Sequence, residues 1–102
     1  MGVNFMRGTT PQNTFEVPID LTTCDVIYIT YSQYGAIVFE IEKDDIEVSV
    51  DKLVVSLTQE QTLALKKGPV SIQIRARYPD DTAVASDIIN TTAEEILKDG
   101  VI

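Results

Sequence analysis

The chain has 102 residues, of which 44% are hydrophobic, and a net charge of −8. That length supports one domain with one core, the apolar content excludes a chain disordered by composition, and the acidic excess repels a nucleic-acid backbone. With no His and a single Cys, the chain offers neither Ser/His/Asp catalysis nor a disulfide framework.

In chain order, Met1–Pro11 lacks periodicity and reads as a flexible arm or the start of an edge strand. Phe15, Val17 and Ile19 then alternate in a short edge strand, with Pro18 marking the edge. Cys24–Ser32 is rich in β-branched and aromatic residues and predicts the next strand. Ala36–Glu42 follows, with Ile37, Phe39 and Ile41 on one face. Placing Ile27, Ile29 and Tyr31 on that same face requires a loop of odd length, and Gln33-Tyr34-Gly35 fits a three-residue hairpin with Gly35 left-handed. Tyr28, Thr30 and Val38 would then face outward together as a small patch.

Beyond a turn at Lys43–Asp45, Ile46, Val48 and Val50 alternate. A two-residue turn at Asp51-Lys52 pairs Val50 with Leu53 and Val48 with Val55. Thr58 and Gln61 stand at capping-box positions and start a short helix that tucks Leu63 and Leu65 under the sandwich, with Gly68-Pro69 ending it. Val70, Ile72, Ile74, Ala76 and Tyr78 alternate with Ser71, Gln73, Arg75 and Arg77, a strand with one wet face. Pro79-Asp80-Asp81 turns the chain. Thr82–Thr92 is the last strand, with Ile88 or Ile89 inward. A turn of helix over Ala93–Lys98 is compatible with the tail, stopped by Asp99-Gly100, and Ile96, Leu97, Val101 and Ile102 leave it apolar.

Seven or so short strands with a turn signal every ~8–12 residues define an all-β, immunoglobulin-like antiparallel sandwich with one helical crossover. The expected organisation is an arm over 1–11, the sandwich over 12–95 and a tail over 96–102.

The chemical inventory points away from catalysis. Cys24 has no His to activate it and reads as a small strand residue. The glycines are isolated turn formers, so no phosphate loop exists. Asp44-Asp45 and Asp80-Asp81 read as turn formers in water rather than a calcium site, since no loop has the alternating acidic pattern of one. No apolar run approaches the ~18 residues of a membrane helix, and Met1–Gln12 holds no secretory apolar segment. Asn90-Thr91-Thr92 matches a glycosylation sequon, which without a secretory route is a chance match. Tyr34, on a hairpin tip, is the candidate for ligand contact.

Several stretches together resemble a family of small phage and prophage proteins of Gram-positive gut bacteria. They are Met6-Arg7-Gly8-Thr9-Thr10-Pro11, Thr30-Tyr31-Ser32-Gln33, Leu57-Thr58-Gln59-Glu60-Gln61-Thr62, Ala85-Ser86-Asp87-Ile88-Ile89 and Leu97-Lys98-Asp99-Gly100-Val101-Ile102. The likeness runs from Met6 to the end, and Met1–Phe5 looks like an extension. It implies a virion-associated structural or accessory protein without known activity and brings no catalytic residues.

The resulting expectation is a non-enzymatic module, without cofactor or metal, that associates with other phage structural proteins or with itself, and with neither nucleic acid nor membrane. It would be made in the bacterial cytoplasm and carried in the virion. Tyr28, Thr30, Val38, Ile96, Leu97, Val101 and Ile102 are the expected contact residues, the arm and tail packing on a neighbouring subunit. The alternative is a glycan-binding sandwich module that uses Tyr34 and the acidic turns.

Overall fold

Every second residue of Val26–Gln33 is buried, from Ile27 through Ile29 and Tyr31 to Gln33, and this strand is the centre of the molecule. The computed structural model describes residues 5–102. In chain order the elements are β1 (Phe5–Met6), β2 (Gln12–Glu16), β3 (Val26–Gln33), β4 (Ala36–Glu42), a 3-10 turn at Lys43–Asp45, β5 (Ile46–Val48), β6 (Lys52–Ser56), α1 (Gln59–Ala64), β7 (Gly68–Arg77), β8 (Ala83–Ala85) and β9 (Ile89–Glu94). One sheet runs β1-β9-β7-β3-β4, with β8 also paired to β7; the other runs β2-β6-β5. Among the described residues, all pairings are antiparallel except β1 with β9.

This is an immunoglobulin-like β-sandwich. The larger sheet follows a five-strand path and faces a three-strand layer. The fold class expected from the sequence holds, with the short β1 and a divided last strand added to the expected set. Ile27, Ile29 and Tyr31 from one layer meet Phe15, Leu53 and Val55 from the other, and all are buried. Burying each such side chain contributes roughly 1.5–3 kcal/mol.

The hairpin between β3 and β4 departs from expectation. Its loop has two residues, since Gln33 pairs with Ala36. Tyr34 and Gly35 both take positive φ, 51° and 81°, as a type I′ turn requires. Left alone, that turn would send one strand's apolar set to solvent. A bulge corrects it: Ser32 pairs with Ile37 but Tyr31 with Phe39, so Val38 is the extra residue. Tyr31 then stacks on Phe39 with ring centroids 4.6 Å apart. The cost falls on Ile37, expected in the core but 64% exposed. Val38, expected to face outward, packs against the core instead.

Elsewhere the corrections are smaller. Val48, not Val50, pairs with Leu53, which moves the turn back by one residue and leaves Val50 exposed at its tip. The capping box forms: Thr58 Oγ1 accepts from Gln61 N–H at 3.1 Å, and Gln61 Oε1 accepts from Thr58 N–H at 2.9 Å. Leu65 is buried under the sandwich and Leu63 half-buried. Gly68-Pro69 opens β7 rather than closing the helix, pairing with Ala93 and Thr92. Cys24 lies just before β3 and is buried.

The expected last strand breaks in two. β8 pairs with one end of β7 and β9 with the other, their registers differing by one residue. At the break Ser86 N–H donates to Ile74 O at 2.8 Å, and Ser86 Oγ accepts from Ile74 N–H at 3.0 Å. A hydroxyl thus stands in for a missing strand carbonyl. Ile89 packs inward and Ile88 points to solvent. The tail forms no helix: Ala93 and Glu94 belong to β9, and Ala93 is fully buried. Pairing with β7 outweighs the helical propensity of the Ala-Glu-Glu stretch.

Candidate contact surface

β3 is flanked by β7 and β4, so its outward residues set three rows across the sheet. The register places Glu42, Tyr28 and Arg75 in one row, Glu40, Thr30 and Gln73 in the next, and Ile37, Ser32 and Ser71 in the third. Thr30 Oγ1 donates to Glu40 Oε2 at 2.9 Å. Ile37 on β4 and Ile88 at the β8–β9 break, the latter 60% exposed, rim a shallow groove of about 350 Å³ whose floor includes Thr30, Ser32, Ser71 and Gln73. The groove thus has apolar sides over a neutral polar floor, with Glu40 and Glu42 on the β4 side and Arg75 on the β7 side. Of the patch expected from the sequence, Tyr28 and Thr30 belong to this face and Val38 does not. The bulge and the strand break, neither visible in period-two patterning, bring Ile37 and Ile88 to it.

The expected arm and tail meet each other. Phe5 is buried in β1 beside β9; Met1–Asn4 lie outside the described residues. The Arg7 guanidinium donates to Leu65 O at 2.6 Å, to Leu63 O at 3.1 Å and to Glu95 Oε1 at 2.6 Å, and lies 3.7 Å from Asp99 Oδ1. It therefore takes up the last carbonyls of α1 and holds the tail in one grip. Ile96 is half-buried over Gly8, where an added Cβ would come within 2.8 Å of Ile96 Cδ1. The final residue is held through its backbone: Ile102 N–H donates to Gln59 Oε1 at 2.9 Å, and Gln59 Nε2 donates to Ile102 O at 3.2 Å. Leu97, Val101 and Ile102 remain exposed, on a tail anchored to its own domain and separate from the Tyr28 face.

Tyr34 is 75% exposed at the β3–β4 tip. Its hydroxyl lies over Gly68, where a Cβ would sit 2.5 Å from it. Gln33, expected in the loop, is buried in β3 and joins the α1–β7 connection. Its Nε2 donates to Lys66 O at 2.7 Å and Pro69 O at 3.2 Å, and its Oε1 accepts from Lys66 N–H at 2.8 Å. The acidic turns act locally. Asp80 Oδ1 accepts from Thr82 N–H at 2.9 Å, and bonds to Thr82 hold its carboxyl below the ordinary range. Burial pushes the Cys24 thiol up, opposite to the shift a nucleophile needs. Among the described residues, no cluster of three acidic or thiol side chains is placed to hold a metal, and no helix is long and apolar enough to cross a membrane.

No family model matches the chain, and neither does any curated protein sequence. Among solved structures it is similar to the V domain of amphioxus IgVJ-C2, at 12% identity and a TM-score of 0.37, covering 90% of this chain and 99% of that one.

Proposed function

We propose that the chain is a non-catalytic structural or accessory module of a phage or prophage particle, working through protein–protein association. The observation that carries association is the outer face of the larger sheet, where Ile37 and Ile88 stand exposed on either side of a polar floor beside Tyr28. Isolated exposed apolar residues need no explanation; we read Ile37, Ile88 and Tyr28 as acting together because they stand around one face. The phage context is supported by the resemblance of the chain's motifs to small virion-associated proteins. On this reading the chain is made in the bacterial cytoplasm and leaves it in the particle. The test is quantitative mass spectrometry of density-purified particles from a lysogen that encodes the chain. Presence at a fixed ratio to known structural proteins supports the reading; absence from the particles refutes it.

A second reading, contact with a cell-surface glycan, is favoured by Tyr34, whose ring stands exposed at the β3–β4 tip. Retention on host cell-wall polysaccharide that Tyr34→Ala abolishes would support it over the first.

A further inference from the structure

We propose that the chain self-associates through the open edge of β2, two copies pairing antiparallel about a two-fold axis through Thr14. This deepens the reading above, that the domain works by association, and rests on it. β2 ends the three-stranded sheet. Leu57 N–H donates to Pro11 O and Val17 N–H donates to Asp51 O, and in an antiparallel ladder such bonded positions recur at every second residue. Asn13 and Phe15 therefore bond to β6, while the backbone N–H and C=O of Gln12, Thr14 and Glu16 point away from it. Among the described residues no strand takes them up.

Most other edges are shorter, interrupted or more acidic. β4 carries the Val38 bulge with Glu40 and Glu42, β5 is three residues long beside Asp44-Asp45, β8 has three residues, and β9 is covered by the two residues of β1 at Ala93 and Glu94, with Ile89–Thr92 open on that side. From Gln12 to Glu16, β2 has no proline, lysine or bulge and a single charge, Glu16.

One register satisfies the edge with itself. With Thr14 opposite Thr14, Gln12 falls opposite Glu16 and Glu16 opposite Gln12. Each outward N–H then meets an outward C=O, and each Glu16 carboxylate faces an amide. Moving the register until Glu16 opposes Glu16 sets like charges together. A slit of about 260 Å³ between the two sheets opens along the same edge, walled by Phe5, Phe15, Ile72 and Ile89. Thr91 Oγ1, buried on its wall, has no hydrogen-bond partner. A strand laid along β2 covers the mouth of this slit. A single strand pair falls short of the ~1,000 Å² of a stable interface, so the dimer forms reversibly with concentration.

The test uses single-cysteine variants of the full chain under mild oxidation; the native Cys24 is buried. Opposed bonded residues stand ~5.5 Å apart at Cα, within disulfide reach. Thr14→Cys should cross-link to itself, and Gln12→Cys should cross-link to Glu16→Cys in a mixture better than either does alone. Thr14→Pro removes an outward N–H and no ladder bond, so it should keep the melting temperature while losing the concentration-dependent rise in mass by light scattering. Equal yields from all pairs, or a rise in mass that Thr14→Pro leaves unchanged, would overturn the β2 edge and leave association by another surface standing. A wild-type chain that stays monomeric and does not cross-link as Thr14→Cys would overturn self-association altogether.

Discussion

Asn13 Nδ2 donates to Tyr31 Oη at 2.7 Å, and this bond joins the two layers of the sandwich. Asn13 belongs to β2 in the smaller sheet and Tyr31 to β3 in the larger one. Tyr31 is fully buried, so without that partner its hydroxyl would pay a desolvation cost. Tyr31→Phe should cost about 1–2 kcal/mol, because it leaves the Asn13 amide without its acceptor. Urea unfolding of the two proteins measures the difference.

Burial pushes Tyr31 up from 10.0 to about 12. A raised folded value gives stability that is fully present below the unfolded value and is lost as pH rises through the folded one. The wild-type chain should therefore lose on the order of 2–3 kcal/mol between about pH 10 and 12, and Tyr31→Phe should lose less. Alkaline denaturation of both, followed by far-UV circular dichroism, checks the sign.

Arg7 is the corresponding junction for the chain ends. Arg7→Ala removes donors to Leu65 O, Leu63 O and Glu95, and should cost about 2–3 kcal/mol. Arg7→Lys should recover only part, because an ammonium cannot span these acceptors as the guanidinium fork does. Amide hydrogen exchange should show residues 95–102 released in Arg7→Ala while β3 and β7 stay protected.

The Glu95 carboxyl lies below its ordinary value of 4.5, held there by the Ile96 N–H and then by Arg7. A depressed value gives a contribution that is present above 4.5 and lost as pH falls through the folded value. Acidification should free the tail before the sandwich unfolds. Amide resonances of Ile96 and Ile102 should shift toward random-coil positions ahead of those of β3, and Glu95→Gln should show this release already at neutral pH.

Gly8 and Gly35 separate backbone strain from packing. Both take positive φ, 71° and 81°, but a Cβ at Gly8 meets Ile96 while one at Gly35 meets open space. Alanine at Gly35 should cost about 1–2 kcal/mol, the price of a left-handed backbone alone. Alanine at Gly8 should cost more and also loosen the tail, which thermal melts and tail exchange rates would show.

Much of this fold was legible because burial writes a period of two into the chain. Val70–Ala76 alternates and forms the buried face of β7, and the Thr58/Gln61 box caps α1 as its spacing requires. What escaped were features set by partners distant in sequence. The β1–β9 pairing involves two residues, too few to show a period. Arg7 sits in a stretch rich in Gly and Thr, and only folding brings two α1 carbonyls and Glu95 to it. The Val38 bulge and the Ser86 break each shift a register by one, which exchanges Ile37 for Val38 on the outer face and exposes Ile88. The outer face of the larger sheet was therefore half legible: Tyr28 and Thr30 follow from parity, whereas exposed Ile37 and Ile88 follow from two irregularities.

On the proposed function, the outer face of the larger sheet makes the working contact. The most direct test compares incorporation of the wild-type chain and the double variant Ile37→Asp/Ile88→Asp into purified particles. Both positions are exposed, so the variant should keep its melting temperature within a few degrees while its copy number per particle falls at least tenfold. Incorporation equal to wild type would contradict the claim.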